Sequence, residues 1–599
     1  MSDLVKGSTL PEAFYNRYLE SRDTEFYFSK RNGKWVGTTY AQNFEFVRKT
    51  IAGLKNLGFK HGQKIAILSD NREEWMMTDF AAQWLGGATA AIYVTSTPEQ
   101  IKYILNESEA VVLFVANETA ANRLSHLTEL SHLKHIVVWD PIKTVKAPEG
   151  VKVLARENFL LGIVSEEEAR SLLKSLNPQD LCILLYTSGT TGEPKGVMLT
   201  HFNFVSNLHQ MLDAIPEAVP GKATISFLPL SHIYERSLHC LGVMTNFRIH
   251  FAESMDKLID NLSEVHPQIM SAVPRIFEKI YAKIMERIKN ASPIRKKIFF
   301  LALEVGKATF DRRQHQRPLP IHWKILYGLS DLLVFKKIRA ITGGKAELFI
   351  SGGAPLAQEI AEFFYTAGFT IIEGYGLSET CILCVNRSNR FKFGTVGIPF
   401  KDTEFKIAED GEILVRGPQV MKGYYRRPDA TAEVFNADGF FHTGDIGEFD
   451  SDGFLKITDR KKELIVTAGG KKIAPQPIEN TLKKDPLIES VCIVGDKRKY
   501  VSALIVPNLE LCKSWAQLKG LSFSCLEDCA KSAELRVHFQ KEIDDLNAEL
   551  PKFSTIKDFR IVPSVFSIDG GELTPTLKLK RRVIQQKYES LIASMYANE

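Results

Sequence analysis

Between Lys64 and Val115 the chain alternates two kinds of apolar pattern, and this alternation restricts the fold more than any other feature. Lys64–Leu68 (KIAIL) is a short apolar run, and Asn71–Leu85 has helical spacing. Thr89–Val94 reads as a strand, Thr97–Asn106 as a helix capped by Thr97, and Ala110–Val115 (AVVLFV) is apolar throughout. Short runs without a polar face suit strands covered on both sides, so this β-α-β-α-β order predicts a parallel sheet with helices on both faces. The middle of the chain repeats the arrangement, with strands expected at Leu181–Tyr186, Ala223–Leu228, Gln268–Val273, Glu347–Ile350 and Phe369–Ile372. In open α/β sheets, ligands bind outside the carboxyl ends of the strands. The loops that follow, TSGTTGEPKG, PLSH, PRIFEK, SGGAP and EGYGLSET, are therefore expected to converge on one crevice.

After about Gly394 the texture changes to short strands and Gly/Asp turns (EDGEILVRG, NADGFFHTGD, DSDGFLKITD), which reads as a small antiparallel β-unit. The last 140 or so residues mix strands (Val491–Val494, Val501–Pro507) with polar helices. A boundary is expected near Arg460–Lys462. The expected architecture is α/β: a large N-terminal domain, 1–459, of doubly wound mixed and parallel sheets plus the small β-unit, then a smaller mobile α+β domain, 460–599.

At 44% hydrophobic and 25% charged residues, the chain is neither disordered nor fibrous. Eight cysteines in 599 residues are too few for a disulfide framework. The N-terminus lacks an apolar signal core, and no run of 18 apolar residues occurs. The expected compartment is the cytoplasm, with reduced thiols. The net charge of +5 hides an uneven distribution: Arg275–Ala340 holds 16 Lys/Arg against 5 Asp/Glu, and the remainder is acidic overall. Such a local field points to an anionic surface as partner, here a membrane rather than a nucleic acid. Within the window, Ile294, Leu301, Trp323, Tyr327, Leu332, Leu333 and Phe335 interleave with cations in the manner of an interfacial helix.

The strongest chemical signal is Tyr186-Thr-Ser-Gly-Thr-Thr-Gly-Glu-Pro-Lys-Gly196. A buried strand opens into a loop with three glycines and four hydroxyls; its exposed N–H groups can form an anion nest, and Lys195 adds a point charge. This is a phosphate cradle, but not a Walker A loop: the G-x-x-x-x-G-K-[ST] spacing is absent, and VMLTH after it reads as a second strand. Cys381-x-x-Cys384 has no partner pair and reads as core packing rather than a zinc site.

YTSGTTGEPKGV resembles the signature loop of the adenylate-forming enzymes: acyl-CoA synthetases, firefly luciferase and nonribosomal adenylation domains. PLSH (229–232), SGGAPL (351–356), EGYGLSET (373–380), FHTGD (441–445), TDRKKELIVTAGGKKIAP (458–475) and LTPTLKLKRR (573–582) match in order. Among subfamilies, PRIFEKIYAKI (274–284), the basic insertion after it and GGKAELFISGGAPLAQEIAEFF (343–364) look most like a bacterial long-chain fatty acyl-CoA synthetase.

The resemblance implies ATP, Mg²⁺ and coenzyme A acting on a fatty acid; the basic window Arg275–Ala340 adds the expectation of a cytoplasmic enzyme peripheral on the inner membrane face. It implies a phosphate cradle of Thr187, Ser188, Gly189, Thr190, Thr191, Gly192 and Lys195, with Glu379 as Mg²⁺ ligand and Ser378 as donor to the α-phosphate. Tyr375, flanked by Glu373, Gly374 and Gly376, would cover the adenine, with Gly353, Ala354 and Pro355 on the other side. Asp445 and Arg460 would hold the ribose, and His232 would stand beside the substrate carboxylate. Lys578 would be the mobile cation between carboxylate and α-phosphate, with Lys580 as its competitor because Leu577 stands where relatives have Gly. Lys462 would be the hinge, and Gly469, Gly470 and Lys471 would face the pantetheine channel. An acyl-AMP ligase serving a carrier protein and a catalytically inactive nucleotide- and lipid-binding homologue share this fold. All of Glu379, Asp445, Arg460 and Lys578 are present, which speaks against the inactive form.

Overall fold

The apolar runs at Lys64–Leu68 and Ala110–Val115 form adjacent strands of an eight-stranded sheet in a computed structural model that describes residues 4–187, 193–461, 463–574 and 578–597. The strand order across that sheet is Gly423–Tyr424, Lys195–Thr200, Leu181–Thr187, Ala88–Ile92, Lys64–Leu68, Ala110–Val115, His135–Val138 and Lys152–Ala155. The strands from Leu181–Thr187 onward are parallel, as the β-α-β reading requires. One crossover helix is visibly started by its own sequence. Helix Pro98–Ser108 has Thr97 as N-cap, its hydroxyl accepting from Gln100 N while the Gln100 side chain returns to Thr97 N. The strands are covered on both sides: Ala66, Leu68, Ala90, Ile92, Leu113 and Val115 are buried on one face, and Ile65, Ile67, Ala91, Val112 and Phe114 on the other.

Two further sheets complete the first of two compact units, Met1–Phe405 with Val415–His442. One runs Ala223–Ser226, Arg248–Phe251, Glu25–Arg31, Lys34–Thr39; the other runs Ile269–Ala272, Leu348–Ser351, Ile371–Leu377, Cys381–Val385, Ile398–Pro399. Helix Ile233–Met244 joins them through polar groups. Glu235 accepts from Ser226 Oγ at 2.6 Å on one sheet and from Ser271 Oγ at 3.0 Å on the other. Burial pushes its carboxyl up to about 7.

The second unit comprises Lys406–Leu414 and Thr443–Glu599. Its centre is a three-stranded sheet, Ile488–Val494, Val501–Pro507 and Ile556–Ile561, with helices Pro475–Leu482 and Ala533–Glu549 packed on one apolar face. Helix Arg581–Lys587 covers the other face through Ile584. Among the described residues, no helix is long and apolar enough to cross a membrane.

Candidate functional site

Thr187 pairs with Lys195 across an antiparallel ladder, so the signature sequence is flanked by two antiparallel strands and not by a strand and a helix. Ser188, Gly189, Thr190, Thr191 and Gly192 lie outside the described residues. The far side of Lys195–Thr200 pairs with Gly423–Tyr424, and this brings in a residue that the sequence did not single out. Lys195 Nζ stands 5.1 Å from the centre of the Tyr424 ring, and the Tyr424 hydroxyl donates to Glu379 Oε1 at 2.9 Å. Burial and the Glu379 charge hold the Tyr424 phenol well above its ordinary pKa, so it stays a donor. A second tie runs from Met421 N to Glu379 O at 2.7 Å. Lys195, Tyr424 and Glu379 are thus gathered at one end of the first unit.

The EGYGLSET segment differs from expectation. The strand expected to stop at Ile372 continues to Leu377 and folds back as Cys381–Val385. Glycines usually weaken a strand, but here they permit close approach. A Cβ on Gly376 would lie 2.0 Å from the Cys381 carbonyl oxygen. Only Ser378, Glu379 and Thr380 form the turn. Leu377 N donates to Thr380 Oγ1 at 3.1 Å, and Cys381 leaves the turn with φ of 51°, in the left-handed region. The Asn207 side chain holds the returning strand by bonding both N–H and C=O of Ile382. Gly376→Ala should therefore lower the unfolding free energy by about 1–3 kcal/mol through overpacking, read as a fall in the denaturation midpoint. Cys381 and Cys384 are fully buried, and burial raises both thiols.

Tyr375, in the same strand opposite Cys384, is 8% exposed. The Glu373 side chain turns into the protein: its Oε2 accepts from Leu356 N at 3.0 Å, and burial pushes the carboxyl up to about 7. It thereby fastens the loop Gly353-Ala354-Pro355 to the strand of Gly374, Tyr375 and Gly376. Gly353 has φ of +83°, and a Cβ on Gly352 would meet the Tyr234 ring at 2.9 Å. That ring follows His232, so the PLSH and SGGAP loops adjoin, and the Tyr234 hydroxyl donates to Ile350 O at 2.8 Å. His232 caps helix Ile233–Met244, its Nδ1 accepting from Tyr234 N at 3.1 Å. In the neutral imidazole this places the proton on Nε2. Asn71 pins the loop from behind, donating to Leu228 O and accepting from Leu230 N.

The remaining residues belong to the second unit. Asp445 and Arg460 are direct partners in the ladder of Phe441–Phe449 with Leu455–Arg460, and Arg460 Nε lies 3.2 Å from Asp445 Oδ1. Asp445 is 3% exposed, while the Arg460 side chain is 38% exposed. Lys461 is engaged with Asp410 at 2.6 Å and Glu412 at 2.8 Å; Lys462 lies outside the described residues. Gly469 and Gly470 tip a hairpin between Ile465–Val466 and Lys472–Ile473, where a Cβ would meet nothing within 4 Å. Lys471 N donates to Thr467 Oγ1 at 3.2 Å, bracing that tip.

Lys578 sits in a reciprocal pair with Thr574: Lys578 N donates to Thr574 Oγ1 at 3.0 Å, and Thr574 N to Lys578 O at 2.8 Å. Lys580 N donates to Glu572 O at 2.7 Å, immediately before the helix that Arg581 begins. Arg581 is a second residue that motif reading passed over. It grips both oxygens of Glu479, at 2.6 and 2.7 Å, and places Nε 3.3 Å from Glu463. It therefore holds the lysine-bearing segment against helix Pro475–Leu482 and the turn after Arg460. Its only sequence signal is its place as the first of two arginines after the lysines.

A profile of AMP-binding enzymes matches residues 17–425, and a profile of the AMP-binding enzyme C-terminal domain matches 462–599. The long-chain-fatty-acid–CoA ligase FadD15 of Mycobacterium bovis is 36% identical over 586 residues, covering 97% of this chain and 96% of that protein. The peroxisomal long chain acyl-CoA synthetase 7 of Arabidopsis thaliana is 31% identical, covering 94% of this chain and 82% of its own. Among solved structures, the adenylation domain of a carboxylate reductase from Mycobacterium chelonae superposes with a TM-score of 0.76 at 20% identity, covering 100% of this chain and 93% of that one. The likeness to that structure is one of fold. Profile coverage and near-full-length identity agree with the order of motifs, and the chain belongs to the AMP-binding enzyme family.

Proposed function

We propose that this protein is a long-chain fatty acid–CoA ligase that works in two half-reactions. In the first, the fatty acid carboxylate attacks the α-phosphorus of ATP, giving acyl-AMP and releasing pyrophosphate. In the second, the thiol of coenzyme A attacks the acyl carbonyl, and AMP leaves. The observation that carries this reading is the near-full-length similarity to long-chain-fatty-acid–CoA ligases.

The first step brings two anions together, so the site must supply positive charge and donors where charge develops. In this reading, the signature hairpin from Thr187 to Lys195 cradles the phosphates, and Ser378 donates to the α-phosphate. Glu379 is an oxygen donor at the tip of a tight turn, of the kind Mg²⁺ takes beside phosphate oxygens. The ion, when bound, neutralises phosphate charge. Tyr424 orients Glu379 by donating to one carboxylate oxygen. Tyr375 and the Gly353–Pro355 backbone enclose the adenine, and Glu373 sets their spacing from within the protein. Asp445 accepts from the ribose hydroxyls with Arg460 beside it, His232 orients the substrate carboxylate through Nε2–H, and Lys578 bridges carboxylate and α-phosphate. Lys462 is proposed as the hinge between half-reactions, and the Gly469-Gly470-Lys471 tip as a wall of the pantetheine channel. We also propose a cytoplasmic enzyme that associates reversibly with the membrane carrying its substrate.

The decisive experiment measures AMP release across fatty acid chain lengths, with coenzyme A or acyl carrier protein as acceptor. AMP release is expected to depend on coenzyme A and on a long chain. Release that depends on the carrier protein instead would replace this reading with an acyl-AMP ligase.

A further inference from the structure

The window Arg275–Ala340 folds as helices Pro274–Lys289, Pro293–Ala308, Phe310–Gln314 and Ile321–Ser330, a π turn Asp331–Phe335 and helix Lys336–Ala340. One side of this assembly is packed on the first unit. The Phe299 and Phe363 rings lie 6.5 Å apart, Tyr281 meets Phe363 edge-on at 4.9 Å, and a Cβ on Gly306 would stand 2.2 Å from Thr366 Cγ2. Arg313 lies between the Tyr327 and Tyr365 rings, 4.4 and 4.8 Å from their centres, and donates to Tyr365 O. Phe335 is fully buried. Tyr327 and Phe335, expected from the sequence to face outward, are therefore inner residues.

The side left outside is apolar where a helix pair in water should be polar. On Pro293–Ala308, Ile294, Ile298 and Leu301 are spaced i, i+4, i+7 and are 73%, 38% and 50% exposed. On Ile321–Ser330, Ile321, Ile325 and Leu329 are spaced i, i+4, i+8 and are 74%, 58% and 51% exposed. These two helices pack against each other, so the two apolar rows belong to one assembly. Of 23 large apolar residues that are exposed among those described, ten fall between 294 and 333, which makes this a patch and not scattered surface. Arg295, Lys297 and Lys324 are exposed on the same two helices, and Lys336 and Lys337 on helix Lys336–Ala340.

Charge selects the occupant. A second copy seated on this face would bring another excess of eleven positive charges onto the first. An anionic bilayer offers opposite charge and an acyl layer at once, and interfacial helices match both with cations and large apolar residues on adjoining faces. We propose that this face docks reversibly on an anionic lipid bilayer, with Ile294, Ile298, Leu301, Ile321, Ile325 and Leu329 at the acyl boundary and the cations among the headgroups. Its physics does not depend on the ligase chemistry; its purpose rests on the reading that the substrate is a long-chain acid, which partitions into the same layer.

The test is co-sedimentation of the full chain with phosphatidylcholine vesicles, with and without phosphatidylglycerol. Wild type is expected to pellet with the anionic vesicles at low salt and to be released by added salt. Neutralising Arg295, Lys297 and Lys324 to Gln should weaken partitioning roughly a hundredfold, at about fivefold per cation. Ile294→Ser, Leu301→Ser, Ile325→Ser and Leu329→Ser together should weaken it at least about tenfold. Both variants should keep wild-type AMP release on detergent-dispersed fatty acid. Wild type that stays in the supernatant with anionic vesicles at low salt overturns the proposal, whatever any variant does. So does a wild-type dimer that the serine variant makes monomeric while vesicle binding is unchanged, because the face is then a contact between copies. If wild type pellets but shows no ligase activity in detergent, the substrate reading fails and the docking face stands.

Discussion

Lys578→Ala is expected to slow acyl-AMP formation by about 10²–10³ while leaving thioester formation from supplied acyl-AMP close to wild type. Only the first half-reaction forces a carboxylate onto a phosphate, so only that step needs an extra cation between them. Withdrawing one preorganised charge-stabilising group commonly costs roughly 3–4 kcal/mol of transition-state stabilisation, which sets the expected factor. The neighbouring lysine provides the control. Lys580 is the residue before helix Arg581–Lys587, its N–H committed to Glu572 O, whereas Lys578 lies one bridge earlier, paired with Thr574. Substitution to Ala keeps the N–H at both positions, so a difference between the variants reads the ammonium groups alone. Pyrophosphate release without coenzyme A measures one half-reaction; consumption of coenzyme A on synthetic acyl-AMP measures the other. If Lys580→Ala is the crippled variant and Lys578→Ala is normal, the acting lysine is Lys580. Equal loss in both half-reactions would remove the half-reaction argument for either.

The parts of this fold that sequence made legible are those dictated by local patterns. Ala110–Val115 is a strand with the bounds that its apolar run suggests, and Thr97 caps the helix after it, because burial on both faces and a capping box are written in consecutive residues. What escaped depends on distant chain. The strand through Gly374 and Gly376 looked like a loop because glycine ordinarily weakens strands; the reason for it is the Cys381 carbonyl it must pass, which spacing does not reveal. Tyr424 reaches Glu379 only because Gly423–Tyr424 joins the edge of the hairpin, a pairing between segments far apart in sequence. Tyr327 and Phe335 read as outward in the sequence because a helix with apolar residues on two sides does not say which side is inner. Tyr365 and Thr366, from a helix outside the window, decide it for Tyr327: Arg313 lies between the two tyrosine rings, and the Tyr327 hydroxyl donates to Thr366 O. The motifs fared better than the geometry around them, since their glycines, hydroxyls and charges mark local chemistry while their supports do not.

Arg581→Ala should destabilise the second unit by about 3–5 kcal/mol near pH 8, the range expected when one member of a buried ion pair is removed and its partner stays charged. The Arg581 side chain is 13% exposed and that of Glu479 is 4% exposed, so neither charge is well served by water. The contact is bidentate, the geometry in which Arg has no equivalent. Glu479 Oε1 also accepts from Ile493 N at 2.7 Å, so the pair fixes helix Pro475–Leu482 to strand Ile488–Val494. Arg581 further lies beside Glu463 and its charge favours the ionised form of Asp459, whose carboxyl burial nonetheless pushes up to about 6. Without the guanidinium, Asp459 loses the charge that opposes its burial and keeps the Glu463 and Glu479 carboxylates beside it, so its native-state pKa should rise further. A carboxyl raised in the folded state binds its proton more tightly there than in the unfolded chain, so stability grows as pH falls through that pKa. The deficit of Arg581→Ala should accordingly shrink between pH 8 and pH 5, measured by denaturant unfolding and by hydrogen exchange in strand Ile488–Val494. Arg581→Lys should recover only part of the loss, since an ammonium keeps the charge but not the fork. The double variant Arg581→Met with Glu479→Leu should recover more than either single change, because it removes the buried charge along with its partner. A variant Arg581→Ala as stable as wild type at pH 8 would show that water reaches Glu479 freely, and that contacts such as Ile584 packing and Lys587 with Glu572 suffice to hold the lysine-bearing segment.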